Sequence, residues 1–136
     1  MSASKVLVVT NDESFGETVR DFVRGMVEVK TVSTRAEALD CATQSCPDLV
    51  LLDHDSANMD CLEVLAITRA LRCRFECVLV TSRPSESLSL DAAAKGVTHL
   101  LVKPFGAADL EELIGISTGV HVQLRSRPSA AAMTAT

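Results

Sequence analysis

Hydrophobic and polar positions switch between two periods along most of the chain. Lys5 to Thr10 (KVLVVT) is a short apolar run suited to a strand buried on both faces, and from Ser14 the pattern turns helical, with Phe15, Val19, Phe22, Val23 and Met26 on one side. Ser14 and Glu17 have the spacing of a capping box and predict the helix start. Val27 to Val32 alternates like a strand, and Thr34 with Glu37 forms a second capping box before Ala38, Leu39 and Ala42. Leu49 to Asp53 predicts a third strand, followed by a helix that Asp60 and Glu63 open and that carries Leu62, Leu65, Ala66 and Ile67. Cys77 to Thr81 predicts a fourth strand, Ser85 to Lys95 a helix ended by Gly96, Val97 to Val102 a fifth strand, and Ala107 to about Ile114 a last helix with Leu110, Leu113 and Ile114 inward.

Five strand–helix units with all-apolar central strands predict an α/β fold. Its sheet is expected to be parallel, doubly wound and five-stranded in the flavodoxin-like order 2-1-3-4-5, with helices on both faces, because each right-handed crossover lays a helix over the sheet. Residues 1–116 are assigned to this domain and 117–136 to a flexible C-terminal tail, since Ser117 to Gly119 breaks the pattern and the last residues are of low complexity. Within the tail, the alternation of Val120, Val122 and Leu124 leaves open an added edge strand or a partner contact.

Composition narrows the function. With 136 residues, 47% of them hydrophobic and 23% charged, the chain is expected to form one soluble domain. The N-terminus offers one Lys and too short an apolar run for a signal peptide, and no window approaches a membrane span, so a cytoplasmic protein without membrane contact is expected. Its five cysteines are then expected to be reduced thiols, and neither they nor the three histidines fall at metal-site spacings. A net charge of −5 without a Lys/Arg run speaks against nucleic-acid binding.

Candidate chemistry gathers at strand ends, because ligands of open parallel sheets bind at the carboxyl edge. The apolar run Leu49 to Leu52 stops at Asp53; a carboxylate buried alone is costly, so Asp53 is expected at the strand edge, open to water, a cation or a reactant. Thr81 and Ser82 end the fourth strand, and Lys103 and Pro104 follow the fifth. Taken singly, each fits an ordinary turn or surface position. Together, a carboxylate nucleophile, a hydroxyl donor and an ammonium have the makings of a phosphoryl-transfer site.

From about Lys5 to Ile114 the sequence resembles the receiver domains of bacterial two-component response regulators. The resemblance rests on the NDE loop after the first strand and on the stretches PDLVLLD, MDCLEVL, VLVTS and LLVKPF. It implies that Asp53 is the phosphoacceptor, Thr81 the switch hydroxyl, Ser82 the small residue after it, and Lys103 the family's lysine before a proline usually held cis. It further implies weak Mg²⁺ binding by Asp53, Asn11 and the Asp55 backbone carbonyl. Receivers usually end the first strand with two acidic residues, where this chain has Thr10 and Asn11; either the loop slips and Asp12 reaches the metal, or Asp12 and Glu13 only decorate the helix N-terminus. The aromatic switch residue of the family corresponds to Leu100.

The implied partners are a histidine kinase or phosphotransfer protein and a downstream protein that docks on the fourth and fifth helices and the fifth strand. The expected protein is a stand-alone phosphoacceptor rather than an enzyme, with at most slow self-phosphorylation and self-dephosphorylation. The alternative is a pseudo-receiver, an interaction module that works without phosphorylation, for which Thr10, Asn11 and Leu100 speak. A flavin or nucleotide carrier on the same fold would need a glycine-rich phosphate loop after the first strand, and residues 10–14 contain no glycine.

Overall fold

The computed structural model describes residues 5–56, 65, 75–118 and 132–134. Its strands are β1 (Lys5–Val9), β2 (Glu28–Val32), β3 (Leu49–Asp53), β4 (Glu76–Thr81), β5 (His99–Val102) and β6 (Ala132–Thr134). The described helices are α1 (Glu13–Phe22), α2 (Arg35–Gln44), α3 (Glu86–Ala94) and α4 (Ala107–Thr118). The helix expected from Asp60 onward lies outside the described residues apart from Leu65, which is helical and buried.

The sheet order is β2-β1-β3-β4-β5-β6, so the expected 2-1-3-4-5 arrangement is present and one strand is added to it. β1 to β5 pair in parallel, whereas β6 runs antiparallel to β5, with Leu100 opposite Met133. The alternation at Val120 to Leu124, read as a possible edge strand, lies outside the described residues. The last helix continues to Thr118, past the expected Ile114.

The apolar strands bury both faces because successive side chains point to opposite sides. Val6, Val8, Leu49, Leu51, Val78, Val80 and Leu101 pack with Phe15 and Val19 of α1 and with Leu110 and Ile114 of α4. On the other side, Leu7, Val9, Val50, Leu52, Cys77, Leu79 and Leu100 pack with Ala38 of α2, Leu65 and Ala92 of α3. A two-sided core of this kind makes the strand register costly to shift, since a slip by one residue would exchange the faces.

Thr34 and Ser85 cap α2 and α3 by accepting hydrogen bonds from the amides of Glu37 and Leu88. Gly96, at φ +100°, ends the turn after α3 in a conformation that other residues adopt only with strain. The start of α1 differs from expectation. Its N-cap is Asp12 rather than Ser14, because the Asp12 carboxylate accepts from the amides of Ser14 and Phe15 and so starts the helix at Glu13. A second correction concerns the thiols: Cys41 and Cys77 are free, but Cys46 is disulfide-bonded, with its partner outside the described residues. Spacing and compartment carry no information on the Cα separation that decides whether two cysteines can join.

Candidate functional site

The sheet ladder continues one residue beyond several strands and thereby sets the candidate residues side by side. The Thr10 amide donates to the Val32 carbonyl, the His54 amide to Val80 and the Lys103 amide to Thr81, each at 2.8–2.9 Å. These bonds hold the ends of β1, β3, β4 and β5 at one edge, as parallel topology requires. The peptide bond between Lys103 and Pro104 is cis.

Asp53 is the centre of the arrangement, and it is not open. Only 1% of its surface is exposed, contrary to the expectation of an accessible edge carboxylate. Its burial is possible because both oxygens are satisfied. Oδ1 accepts from Lys103 Nζ at 3.0 Å and from the Asp55 amide at 3.1 Å. Oδ2 accepts from the Thr10 hydroxyl at 2.6 Å and from the Ser56 hydroxyl at 3.3 Å. The two oxygens therefore face different surroundings: Oδ1 an ammonium, Oδ2 a pair of hydroxyls. The Asn11 amide donates to Ser56 Oγ at 3.0 Å and the Asp12 amide to Thr10 Oγ1 at 3.0 Å, which orients both hydroxyls toward Asp53.

Lys103 bridges two carboxylates, with Asp55 Oδ2 at 3.2 Å in addition to Asp53. Its ammonium also lies 4.7 Å from the centre of the Phe15 ring, which packs edge-on against Phe105. Partial burial would lower the lysine pKa, but the hydrogen bonds and charges of Asp53 and then Asp55 outweigh it and raise the pKa above the ordinary 10.5. Asp55 shows the converse balance. Burial would raise its pKa, while hydrogen bonds from Ser82 and Lys103 and the lysine charge hold it below the usual carboxylate value.

Thr81 is fully buried, and its hydroxyl donates to Asp55 Oδ1 at 3.3 Å while accepting from the Arg83 amide at 3.0 Å. The Ser82 amide donates to Asp55 Oδ2 at 3.0 Å. Thus Lys103 and Asp53 touch directly, and Thr81 joins them through Asp55. A cleft of about 430 Å³ is lined by His54, Asp55, Thr81, Ser82 and Arg83, so it reaches the site at Asp55 and Thr81. Asp12 and Asn11 are exposed, with the Asp12 carboxylate committed to the α1 cap. Leu100 is buried in the core beside Leu79.

Three contributors escaped the sequence analysis, the Thr10 and Ser56 hydroxyls and the Asp55 side chain. Ser56 and Asp55 lie in the turn after Asp53, where the Asp55 amide bonds the Asp53 side chain and the Ser56 amide bonds its carbonyl. A polar residue two or three positions after an aspartate at a strand end is the available signal, because such turns fold back on the aspartate.

The resemblance implies Mg²⁺ at this edge. Among the described residues no three His, Cys, Asp or Glu side chains gather around a common point. Mg²⁺ keeps several waters and takes one or two carboxylates, so the hard oxygens of Asp53, Asn11 and the Asp55 carbonyl fit it in kind. The Thr10 and Ser56 hydroxyl hydrogens on Oδ2 stand against tight binding.

The sequence family described as the response regulator receiver domain matches residues 6–115. Among curated relatives, the transcriptional regulatory protein PrrA of Mycobacterium leprae is 31% identical over 114 residues, covering 81% of this chain and 48% of its own length. The transcriptional regulatory protein DcuR of Escherichia coli K12 is 28% identical over 114 residues, covering 80% of this chain and 48% of its own. The chain spans about half the length of these relatives. Among solved structures, the chemotaxis protein CheY4 of Vibrio cholerae superposes with a TM-score of 0.80 at 24% identity, covering 85% of this chain and 99% of that one. A CheY-like receiver domain protein from Methanospirillum hungatei JF-1 gives 0.76 at 25% identity, with 85% and 93% covered.

Proposed function

This chain belongs to the response regulator receiver family, and from that premise we propose that it accepts a phosphoryl group on Asp53 from a histidine kinase or phosphotransfer protein and signals by docking a protein partner. The observation that carries the proposal is the Lys103 ammonium 3.0 Å from Asp53 Oδ1, on the side of the carboxylate nearest Asp55 and the cleft. Oδ1 is the nucleophile in this account. It attacks the phosphorus of a phosphohistidine, the O–P bond forms as the P–N bond breaks, and the departing imidazole nitrogen takes its proton from solvent. Lys103, the Thr81 hydroxyl and the Ser82 amide supply the positive charge and the donors that the equatorial oxygens need.

Oδ2 keeps the Thr10 and Ser56 hydroxyls as partners while Oδ1 reacts. Mg²⁺, when bound by Asp53, Asn11 and the Asp55 carbonyl, supplies charge neutralisation, and its affinity is weak because one carboxylate serves where the family usually has more. The site is that of a phosphoacceptor rather than an enzyme. We assign residues 1–116 to the receiver and regard the end of α4 and the strand β6, both within 117–136, as additions to it, and place the protein in the cytoplasm, where histidine kinases deliver phosphoryl groups. The docking face is formed by α3, α4 and the β5 margin, along which β6 lies. An apolar cleft lined by Pro84, Leu90 and Leu100, with Leu90 65% exposed, supports that choice.

Intact-protein mass after incubation with acetyl phosphate, with and without Mg²⁺, tests the proposal. One phosphoryl increment is expected in the wild type and none in Asp53→Asn. Labelling that persists in Asp53→Asn, or no labelling of the wild type, would refute it.

One observation favours a second reading, a receiver that works without phosphorylation: the Thr10 hydroxyl sits 2.6 Å from a carboxylate that is 1% exposed. On that reading, a docking partner binds the wild type and Asp53→Asn equally well, and acetyl phosphate changes neither.

A further inference from the structure

Three donors of different chemistry converge on the Asp55 side chain. Lys103 Nζ is 3.2 Å from Oδ2, the Ser82 amide 3.0 Å from Oδ2 and the Thr81 hydroxyl 3.3 Å from Oδ1. They come from two separate strand ends, and Lys103 also bonds Asp53 Oδ1 at 3.0 Å, so an anion attached to that oxygen competes with Asp55 for the same ammonium. A surface ion pair would need only the lysine. Here an ammonium, a backbone amide and a buried hydroxyl surround one carboxylate, which is how proteins bind an anionic ligand. Asp55 itself belongs to a turn at the mouth of the cleft, and its side chain is 28% exposed, so it can leave toward water without disturbing the core.

We propose that the Asp55 carboxylate is a built-in occupant of the phosphoryl pocket, a tethered anion that an incoming phosphoryl group has to displace from Lys103, Thr81 and Ser82. The inference rests on reading this cleft as the phosphoryl site and adds a regulation to it. With Asp55 in place, Lys103 is shared between two carboxylates and Thr81 is already drawn toward an anion before any phosphoryl group arrives. The site is thereby less receptive to phosphate, and its hydroxyl has less distance to move when phosphate binds.

Titration of the metal-free protein with inorganic phosphate, followed at the Ser82 amide by NMR, separates this from a merely structural role. Asp55→Ala is expected to bind phosphate about tenfold more tightly than the wild type, because no tethered anion competes for the donors. Asp55→Asn, which keeps the volume but not the charge, is expected to gain in the same direction and covers the case in which the alanine variant does not fold. Glu13→Gln removes one negative charge at the same sheet edge from a residue that touches none of the donors, and is expected to change the affinity less than twofold. Equal gains in the Asp55 variants and in Glu13→Gln, or no gain in the Asp55 variants, would overturn the proposal. Acetyl phosphate labelling of the same proteins keeps the two readings apart. Tighter phosphate binding with no labelling at Asp53 upholds the tethered anion and refutes the phosphoacceptor, whereas normal labelling with unchanged phosphate affinity does the reverse.

Discussion

Replacing Lys103 by methionine would remove the ammonium that lies over Phe15 and keep an unbranched apolar side chain of similar length. The Lys103 ammonium is 3.0 Å from Asp53 and 3.2 Å from Asp55, while Asp53 is 1% exposed. At 3.0 Å and an effective dielectric of ~20 the attraction to Asp53 is about 5 kcal/mol. The lysine side chain is 23% exposed, so water reduces this, and a net destabilisation of about 2–3 kcal/mol is expected, below the usual range for breaking a fully buried pair. For a chain of this length that corresponds to a fall in Tm of roughly 7–10 °C. The pH dependence has a definite sign. The folded-state pKa of Lys103 lies above the ordinary 10.5, so its stabilisation is complete below 10.5 and is lost as pH rises through the raised value. Wild type and Lys103→Met should therefore differ by a constant amount from neutral pH to about 9.5 and converge above the raised lysine pKa. Urea unfolding followed by circular dichroism suits a chain that contains no Trp or Tyr. A variant as stable as the wild type at neutral pH, or a difference that persists undiminished at the alkaline end, would show that the ammonium does not neutralise the buried carboxylate.

Thr10→Val is nearly isosteric but removes the 2.6 Å bond to Asp53 and the acceptor for the Asp12 amide, and should cost about 2 kcal/mol in the same unfolding assay. Asn11→Asp puts a carboxylate at the position where receivers usually carry an acid, and should raise Mg²⁺ affinity by about tenfold in a calorimetric titration, since ~1.4 kcal/mol is a decade and the Coulomb attraction at ~4 Å exceeds it. Asp12→Ala should leave Mg²⁺ affinity unchanged and cost about 1 kcal/mol of stability through the lost α1 cap; weaker metal binding in that variant would make Asp12 a ligand.

How much of this was legible in the sequence depended on whether a feature was local. The runs of β1, β3 and β4 are apolar at nearly every position because both faces are covered, and that pattern survives in any register. Thr34 and Ser85 announce their helices because a cap and its amide lie three residues apart. The start of α1 was misplaced because Asp12 and Ser14 are both competent caps, and where β1 releases the chain decides between them. The setting of Asp53 was hidden for a different reason. Thr10 lies 43 positions away in sequence, so no local pattern records that its hydroxyl closes on the carboxylate. The Asp55 side chain was overlooked because the resemblance assigns that position a backbone role. β6 spans only three residues, too few for a period to show.

That short sixth strand changes what the sheet offers to its surroundings. A parallel sheet of five strands ends in two rows of unpaired amides and carbonyls, each a template on which another extended chain can grow. At one margin β2 (EVKTV) places Glu28 and Lys30 along the edge, and alternating charges discourage such growth. At the other, β5 (HLLV) has no Asp, Glu, Lys or Arg and would be the more adhesive margin, yet residues 132–134 already lie antiparallel along it. The margin they form is a strand three residues long, and brevity is itself one of the ways in which natural sheets resist polymerising through their edges.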